Sequence, residues 1–347
     1  MHSAIIKNLL ALKLRGARHV THPVLASLYV THKCNLRCTY CSDGCGSPFY
    51  LNKETELSLK DICAVLGKIA KTVRYLDITG GEPLLREDII DIVSCARRCG
   101  FKGIYLNTNG LLLDKYPRLI EMVDTLTISL DSLNPFKLME IYRTDENSVT
   151  NILNNIRQVL KSRHKGKLYI SSVIMPDNIG HINEIVEFCE IYGTGFTASP
   201  QLVGVSAKEG LHNNPEYKAL IDKIIEFKKK GMRVMGPIEY YKTIRDFSPY
   251  KCLPLLHTAV SPSGMLYMPC LELGEKMVNL LEYDSLHEAI NSSVRNIKYP
   301  PECGNVCHIL CHAGLSLLCK NLSVPLSELF YELRGNNLIK EPENEHS

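Results

Sequence analysis

Cys34-Asn35-Leu36-Arg37-Cys38-Thr39-Tyr40-Cys41 places three thiols in the spacing C-x3-C-x2-C. The apolar run 24–30 comes directly before this stretch and is typical of a β-strand. Cysteines this close in sequence must converge in space, where thiolates bind a metal, a cluster or one another. An iron–sulfur cluster usually takes four cysteines, and a structural zinc site takes four ligands. Three ligands therefore leave one coordination position free, which is how a metal site reaches a substrate.

The composition is that of a globular protein, with 347 residues of which 45% are hydrophobic and 22% charged. The net charge of +3 is too small to indicate a nucleic-acid partner. No apolar run approaches the ~18 residues of a membrane span, and Lys7, Lys13 and Arg15 interrupt any signal peptide. Fourteen cysteines without a secretion signal favour metal or cluster binding in a reducing compartment. We therefore expect a cytoplasmic protein.

Strand-like and helix-like segments alternate from residue 24 to 205. The strand patterns lie at 24–31, 73–79, 102–107, 124–130, 167–175 and 195–203, and the helical patterns at 58–71, 86–99, 114–122, 147–163 and 181–192. Six such βα units with short connections predict a parallel sheet that right-handed crossovers curl into an open barrel. The predicted fold class is α/β, a partial (βα)6 TIM-like barrel followed by a small cysteine-rich C-terminal domain.

We expect four regions along the chain. Residues 1–20 form a basic amphipathic helix, 21–235 the barrel, 236–335 a module that depends on metal, and 336–347 an acidic disordered tail. The N-terminal helix has two interpretations. It binds an anionic membrane surface or an acidic partner through residues 1–18, or it plugs one end of the barrel with its basic face in solvent.

Polar and glycine residues follow four successive strands. They are the thiols after the first strand, Gly80-Gly81-Glu82-Pro83 after the second, Asn107-Thr108-Asn109-Gly110 after the third, and Ser129 with Asp131 at the fourth. Functional residues of such barrels collect at the C-terminal ends of the strands, so these motifs outline one site. Paired glycines let the backbone approach a ligand closely, and a glutamate can accept hydrogen bonds from an ammonium group.

Together the four motifs resemble the radical S-adenosylmethionine (SAM) superfamily over residues 24–205. They are most similar to its branch of molybdenum-cofactor cyclases, nitrogenase-cofactor proteins and peptide maturases. The resemblance implies that Cys34, Cys38 and Cys41 hold three irons of a [4Fe–4S] cluster, and that the fourth iron chelates SAM. Cleavage of SAM then gives a 5′-deoxyadenosyl radical that abstracts hydrogen from a substrate.

The resemblance also implies contacts to SAM and a redox partner. The candidate SAM-binding residues are Gly80, Gly81 and Glu82 at the amino group, Tyr40 near the adenine, Asn109 and Ser129 at the carboxylate or ribose, and Val173, Ile174 and Leu202 as an apolar adenine wall. A flavodoxin- or ferredoxin-like protein is the expected electron donor.

Six C-terminal cysteines resemble the SPASM or twitch extensions that bind auxiliary [4Fe–4S] clusters. They are Cys252, Cys270, Cys303, Cys307, Cys311 and Cys319. Their spacing departs from the usual C-x2-C-x5-C-x3-C pattern, so one or two clusters fit the count. A helix through 303–311 would put three of these thiols on one face. A zinc site is the alternative, with His308 and His312 as further ligands. Four other cysteines, Cys63, Cys95, Cys99 and Cys189, are expected to be plain buried residues.

The motifs define the reaction class and leave the substrate open. A peptide or protein side chain is the leading prediction, because auxiliary clusters in this branch most often accompany peptide modification. About twenty residues before the barrel are too few for a leader-binding module, so a separate leader-peptide-binding partner would be needed. The alternatives are a membrane lipid or isoprenoid, another small metabolite, a GTP cyclase of molybdenum-cofactor synthesis, and a non-catalytic zinc-stabilised scaffold. The cyclase would be expected to end in Gly-Gly-Arg and to carry three C-terminal cysteines.

Overall fold

The computed structural model describes residues 5, 8, 9, 22–42, 47–161, 167–273, 276–294, 303, 306–320 and 323–337. In these residues the strands are β1 (Leu25–Tyr29), β2 (Tyr75–Thr79), β3 (Gly103–Thr108), β4 (Thr125–Ser129), β5 (Lys167–Ile174), β6 (Gly195–Pro200), β7 (Leu202–Val203), β8 (Ser206–Ala207), β9 (His257–Val260), β10 (Met265–Tyr267) and β11 (Lys276–Asn279). The helices are α1 (Leu59–Ala70), α2 (Ile89–Arg98), α3 (Pro117–Met122), α4 (Pro135–Tyr142), α5 (Glu146–Lys161), α6 (Ile179–Ile191), α7 (Pro215–Lys230), α8 (Ile238–Asp246), α9 (Leu286–Val294), α10 (Leu310–Leu318) and α11 (Ser323–Asn337).

Six parallel strands, β1 to β6 in chain order, form the wall of the barrel. Alternate residues of β1 separate two environments, since Ala26 and Leu28 are buried in the main apolar core and Ser27 bonds to polar side chains of neighbouring strands. The predicted α/β fold with an open (βα)6 arrangement is confirmed. The strands begin and end close to the predicted positions, because each one carries its own apolar run and is followed by turn residues.

The cysteine-rich segment continues the barrel sheet. Strand β9 lies parallel to β1, with Leu25 opposite His257 and Leu28 opposite Val260. Antiparallel strands β10 and β11 follow, which gives the sheet order β11-β10-β9-β1-β2-β3-β4-β5-β6. The free edge of β1 is thereby covered by the C-terminal segment. A boundary near residue 236 remains a sequence-based prediction, and across it the two predicted domains share one sheet.

Two described residues of the N-terminal region, Ile5 and Leu9, are helical and only 2% and 3% exposed. They belong to a small apolar group that we call the N-terminal cluster, made of Ile5, Leu9, Val24, Leu253, Leu256, Leu315 and Cys319. Asn8 donates a hydrogen bond to the backbone oxygen of His22 at 3.0 Å. These contacts favour the interpretation in which the helix packs on the protein. The rest of the predicted helix lies outside the described residues.

The structure also bears on the predicted absence of a membrane span, on the four scattered cysteines and on the predicted C-terminal tail. Among the described residues, no helix combines the length and the hydropathy that a membrane crossing requires. Cys63 and Cys95 form a disulfide between α1 and α2, so the expectation of plain buried thiols was wrong for this pair. Cys189 is buried and Cys99 is partly exposed. Helix α11 extends to Asn337, two residues into the predicted tail, and residues 338–347 lie outside the described part.

Candidate active site

The loop after β1 brings three thiols together. The C-terminal end of α4 holds this loop, because the backbone nitrogens of Arg37 and Thr39 donate to the carbonyl oxygens of Tyr142 and Ile141 at 3.1 and 2.9 Å. The three thiols, Cys34, Cys38 and Cys41, are all partly exposed. Burial raises the pKa of Cys34 to about 11 and that of Cys38 further, and the neighbouring thiols add to both shifts. The three sulfurs therefore share one local environment.

The glycine pair after β2 lies directly against the thiol loop. The backbone nitrogens of Gly81 and Glu82 donate to the carbonyl oxygens of Thr31 and Lys33, both at 2.8 Å. A Cβ atom on Gly81 would overlap the carbonyl oxygens of His32 and Lys33. Gly80 has a φ of +152° and would meet the Thr31 carbonyl oxygen in the same way. Only glycine fits this close approach of two backbones.

Glu82 is fully buried and fastens the next loop along the sheet. Its carboxylate accepts hydrogen bonds from the Leu84 nitrogen at 3.0 Å, the Thr108 hydroxyl at 2.8 Å and the Asn109 nitrogen at 2.7 Å. Burial raises the pKa of Glu82 to about 7, and these bonds oppose the shift. A contact from Glu82 to the SAM amino group remains a prediction. What the geometry shows is a carboxylate that joins the second and third loops.

Asn109 connects the third loop to the thiols. Its amide nitrogen donates to the side-chain oxygen of Asn35 at 2.7 Å and lies 3.9 Å from the Cys34 sulfur. The side-chain oxygen of Asn109 accepts from the Leu111 nitrogen at 3.0 Å, which fixes the amide orientation. The predicted site residue Asn109 thus lies beside the thiol loop, where its donor group is aimed at a sulfur.

Tyr40 is tied to the ends of β4 and β5 through Asp131. The tyrosine hydroxyl donates to one Asp131 oxygen at 2.6 Å, and the other oxygen accepts from the Val173 nitrogen at 2.7 Å. Asp131 is fully buried, and burial raises its pKa to about 6 against these two hydrogen bonds. Sequence reasoning placed Asp131 at a strand end but assigned it no role. The signal for one was its position in the Ser-Leu-Asp motif.

The remaining residues that were predicted to contact SAM differ in how far their side chains are exposed to solvent. Ser129 ends β4 opposite Ser171, and it is partly exposed at the thiol-bearing end of the sheet. Val173 and Leu202 are also partly exposed near that end. Ile174 is completely buried and packs in the main core. Val173 and Leu202 therefore stay candidates for an adenine wall, whereas the Ile174 side chain is occupied by packing.

Four C-terminal thiols converge on a second site. Burial raises the pKa of Cys252 to about 12, with a further contribution from Cys303. Burial also raises the pKa values of Cys270 and Cys307, and Glu272 and neighbouring thiols add to both shifts. The thiols that influence one another in this way are Cys252, Cys270, Cys303 and Cys307. Tyr250 adjoins them, since its hydroxyl donates to the Cys307 carbonyl oxygen. This convergence agrees with the predicted metal-binding role, which itself stays a prediction.

One of the six predicted C-terminal ligands lies elsewhere, and another lies between the barrel and the second site. Cys319 is buried in the N-terminal cluster, among apolar side chains. Burial raises the pKa of Cys311 to about 12, and Asp77 of the barrel and Glu272 of the cysteine-rich segment add to the shift, so this thiol lies between the barrel strands and the second site. The metal-binding role of Cys311 stays a prediction. The helix through 303–311 considered from the sequence does not form, because helix α10 begins at Leu310 and residues 306–309 have no helical structure. Tertiary folding, and not a shared helix face, brings Cys303 and Cys307 near Cys252 and Cys270.

A buried polar chain links the barrel strands to this second site. Ser27 donates to Asp77 at 2.8 Å and lies 2.9 Å from His257, and Asn107 donates to the other Asp77 oxygen at 2.7 Å. Burial, reinforced by the neighbouring imidazole of His312, lowers the pKa of His257 to about 3, so His257 is neutral. The ring centroids of these two histidines are 5.0 Å apart. The barrel wall is thus polar where it meets the cysteine-rich segment.

Comparison with known proteins places these motifs in a family. Residues 28–189 match the model of the radical SAM superfamily. The chain is 30% identical over 296 residues to the GTP 3′,8-cyclase of Clostridium perfringens. The aligned region covers 76% of this chain and 87% of that enzyme. It is 34% identical over 165 residues to the GTP 3′,8-cyclase of Synechocystis, covering 46% of this chain and only about half, 49%, of that enzyme.

The fold is similar to solved structures as well. Streptococcus suis SuiB, solved bound to the precursor peptide SuiA, superposes with a TM-score of 0.61 at 17% sequence identity. The superposition covers 88% of this chain and 74% of SuiB. At this identity the likeness concerns the fold, and it extends beyond the barrel into the cysteine-rich segment.

Proposed function

This chain belongs to the radical SAM superfamily, whose members use a [4Fe–4S] cluster and SAM, and we propose that it oxidises a peptide or protein side chain. The observation that carries the proposal is the second group of thiols, Cys252, Cys270, Cys303 and Cys307, placed where the barrel sheet continues into the C-terminal segment. Removing hydrogen from a substrate leaves a radical, and a nearby iron–sulfur cluster can take up its remaining electron.

The residues of the first site fit the SAM-binding cluster. Cys34, Cys38 and Cys41 supply three thiols from one loop, and the bare backbone of Gly80 and Gly81 borders that loop where any side chain would collide. Reductive cleavage of bound SAM supplies a 5′-deoxyadenosyl radical that removes a hydrogen atom from the substrate. We assign the three thiols as iron ligands, and the backbone of Gly80 and Gly81 as the surface that faces the SAM amino group.

The protein's own contribution is to hold these loops in register. Glu82 binds the loop of Asn109, and Asn109 binds the thiol loop through Asn35. On the other side Asp131 ties Tyr40 to the end of β5. Because these links are short hydrogen bonds, two of them to the buried carboxylates of Glu82 and Asp131, the cluster-binding loop is fixed before any ligand arrives. Preorganisation of this kind places the substrate hydrogen close to the reacting carbon and excludes water.

The residues of the second site fit an auxiliary cluster. Four thiols converge there, and three or four thiolates hold a [4Fe–4S] cluster. When bound, such a cluster supplies a one-electron acceptor close to the barrel. Cys319 is excluded from this assignment by its place in the N-terminal cluster. A flavodoxin- or ferredoxin-like donor and a separate leader-binding partner remain part of the proposal.

The cluster assignment is tested by anaerobic reconstitution of variants. Replacing Cys34, Cys38 and Cys41 together by Ala should abolish 5′-deoxyadenosine formation from SAM and dithionite, and should leave an iron–sulfur signal from the second site. Replacing Cys252 or Cys307 by Ala should remove that residual iron. Cys319→Ala is the matched control and should keep all the iron. Complete loss of iron in the triple variant would contradict the auxiliary site.

The substrate class is tested by isotope transfer. Short peptides encoded next to the gene are synthesised with deuterated side chains and incubated with the reduced enzyme and SAM. A peptide substrate should pass deuterium to 5′-deoxyadenosine, and an unlabelled copy of the same peptide should lose two mass units for each two-electron oxidation. If no peptide supports deuterium transfer while lipid or isoprenoid extracts do, the peptide proposal is wrong.

GTP cyclisation is the second candidate, and the relatives named GTP 3′,8-cyclase favour it. Under this alternative GTP is the substrate from which the 5′-deoxyadenosyl radical removes hydrogen. Reconstituted enzyme incubated with SAM, dithionite and GTP should then consume GTP in proportion to 5′-deoxyadenosine. Unchanged GTP beside active SAM cleavage would exclude this candidate.

A further inference from the structure

Three different donor atoms meet beside the convergent thiols. The Cys270 sulfur, a Glu272 oxygen and a His312 ring nitrogen all lie within 4.8 Å of one another. Cys270 and Glu272 follow strand β10, and His312 lies in the first turn of α10. The exposed fractions of the three residues are 8%, 7% and 3%, so this group is shielded from solvent.

Glu272 and His312 form a buried ion pair whose hydrogen bonding is incomplete. The Glu272 Oε2 and His312 Nε2 atoms are 2.9 Å apart, an ion-pair distance, and neither atom has a well-aligned hydrogen-bond partner among the described residues. The second ring nitrogen of His312 also has no hydrogen-bond partner among the described residues. A buried polar group left unsatisfied costs about 1–3 kcal/mol. A cation bound between the two side chains would satisfy both.

We propose that Cys270, Glu272 and His312 bind a zinc ion in a mixed sulfur, oxygen and nitrogen site. Thiolate, carboxylate and imidazole are the protein ligands of zinc, and sites with three such ligands keep the fourth position for water or substrate. The carboxylate and the thiolate also balance the charge of a divalent cation in this buried place. The inference rests on the proposed function and narrows it: of the four convergent thiols, Cys270 is assigned to the zinc ion, and Cys252, Cys303 and Cys307 are the thiolates of the auxiliary cluster.

The neighbourhood of the site connects it to the barrel. The ring of His257 packs edge-on against His312, and His257 reaches Asp77 through Ser27. A ligand in the open position of the zinc would therefore lie near polar groups of β1, β2 and β9. This arrangement gives the cysteine-rich segment a binding role besides electron transfer.

The test uses the full chain, reconstituted anaerobically with iron and sulfide and then supplied with zinc sulfate. Excess metal is removed by gel filtration, metal content is measured by mass spectrometry, and the zinc environment by zinc K-edge X-ray absorption. The proposal expects one zinc per chain with one sulfur and otherwise nitrogen and oxygen neighbours. Absence of zinc, or zinc surrounded by three or four sulfurs, would overturn it.

Variants locate the ion. Glu272→Gln and His312→Gln should each lose the zinc and keep the iron content, and Cys270→Ser should lose the zinc and keep the auxiliary electron paramagnetic resonance signal. His308→Gln is the matched control, because His308 is equally buried but its ring packs on Phe247 and Tyr250. Loss of auxiliary iron in Cys270→Ser with zinc retained would overturn the proposal.

The two proposals fail in different measurements. The proposed function fails if wild-type protein forms no 5′-deoxyadenosine or holds no auxiliary iron, whatever its zinc content. The zinc site is contradicted if the X-ray absorption spectrum of the wild-type protein shows no zinc, or zinc with three or four sulfur neighbours, even if SAM cleavage is normal. The wild-type spectrum needs no variant to fold, so an unstable variant leaves the test decisive.

Discussion

At the scale of single residues, Glu82 shows how a buried charge organises the first site. Its carboxylate accepts three hydrogen bonds from two different loops and reaches no solvent. The same residue was predicted from the sequence as a ligand contact. The structure adds a second task, the fastening of the Asn109 loop, that no local pattern could reveal because Thr108 and Asn109 lie on another strand.

We predict that Glu82→Gln destabilises the protein by about 1–3 kcal/mol, because the amide turns a donor toward backbone N–H donors. The thermal unfolding midpoint of the reconstituted protein should fall, and iron bound at the first site should fall with it. Glu87→Gln, at an exposed position in the same segment, is the control and should change stability by less than about 0.5 kcal/mol. Equal unfolding midpoints for the two variants would contradict the proposal that Glu82 stabilises the protein by holding the Asn109 loop.

Asp77 predicts a pH dependence of stability. Burial raises its pKa from 3.8 to about 6, and the hydrogen bonds from Ser27 and Asn107 oppose the shift. The unfolded chain therefore releases this proton at lower pH than the folded protein does. The contribution of Asp77 to stability should fall as pH rises from 3.8 to about 6 and stay constant above that range.

Asp77→Asn removes this titration, and the unfolding midpoint of the variant should vary less across that pH range than the wild-type midpoint. The measurement is thermal unfolding at several pH values, followed by circular dichroism. Parallel curves for the two proteins would show that Asp77 has the same pKa folded and unfolded.

At the scale of elements, the first site is an edge where loops from neighbouring strands lock together. The segment after β2 donates two backbone hydrogen bonds to the thiol loop that follows β1. The thiol loop in turn donates two backbone hydrogen bonds to the C-terminal end of α4. The thiol loop thus has backbone bonds on both sides. The glycines are required because the two backbones touch, and this is a property of paired elements, not of either one.

We predict that Gly81→Ala loses most of the iron at the first site, because its Cβ must displace the carbonyl oxygens of His32 and Lys33. The measurement is iron content and 5′-deoxyadenosine yield after reconstitution. Gly67→Ala is the matched control in helix α1, where an added Cβ meets no atom within 4 Å. It should be neutral or stabilising by up to about 1 kcal/mol and keep its iron. Normal iron content in Gly81→Ala would refute the close approach.

At the scale of the whole molecule, the C-terminal segment and the barrel form one sheet. Strand β9 covers the edge of β1, and the N-terminal cluster joins Leu9 and Val24 to Leu256 and Leu315. The beginning and the end of the described chain therefore stabilise the same edge. An uncovered β1 would present unpaired backbone groups to solvent, so the barrel depends on its extension.

We predict that Leu9→Ala lowers the free energy of unfolding by about 2–5 kcal/mol, the usual cost of truncating a buried leucine. Liposome binding is measured alongside the unfolding midpoint. Val203→Ala, at a side chain 64% exposed, is the control and should be nearly neutral. If Leu9→Ala keeps its stability and loses liposome binding, the membrane interpretation of the N-terminal helix replaces the packing one.

The sequence alone determined the six strands, the first thiol site and the reaction class. Each depends on local chemistry, since apolar runs define strands and the spacing from Cys34 to Cys41 forces three thiols together. Only the tertiary structure decided which C-terminal cysteines converge. Cys303 and Cys307 meet Cys252 and Cys270 across long sequence separations, whereas Cys319 packs among apolar side chains. The mixed group around Glu272 was beyond prediction for the same reason, because its members are adjacent in space and His312 is distant in the chain.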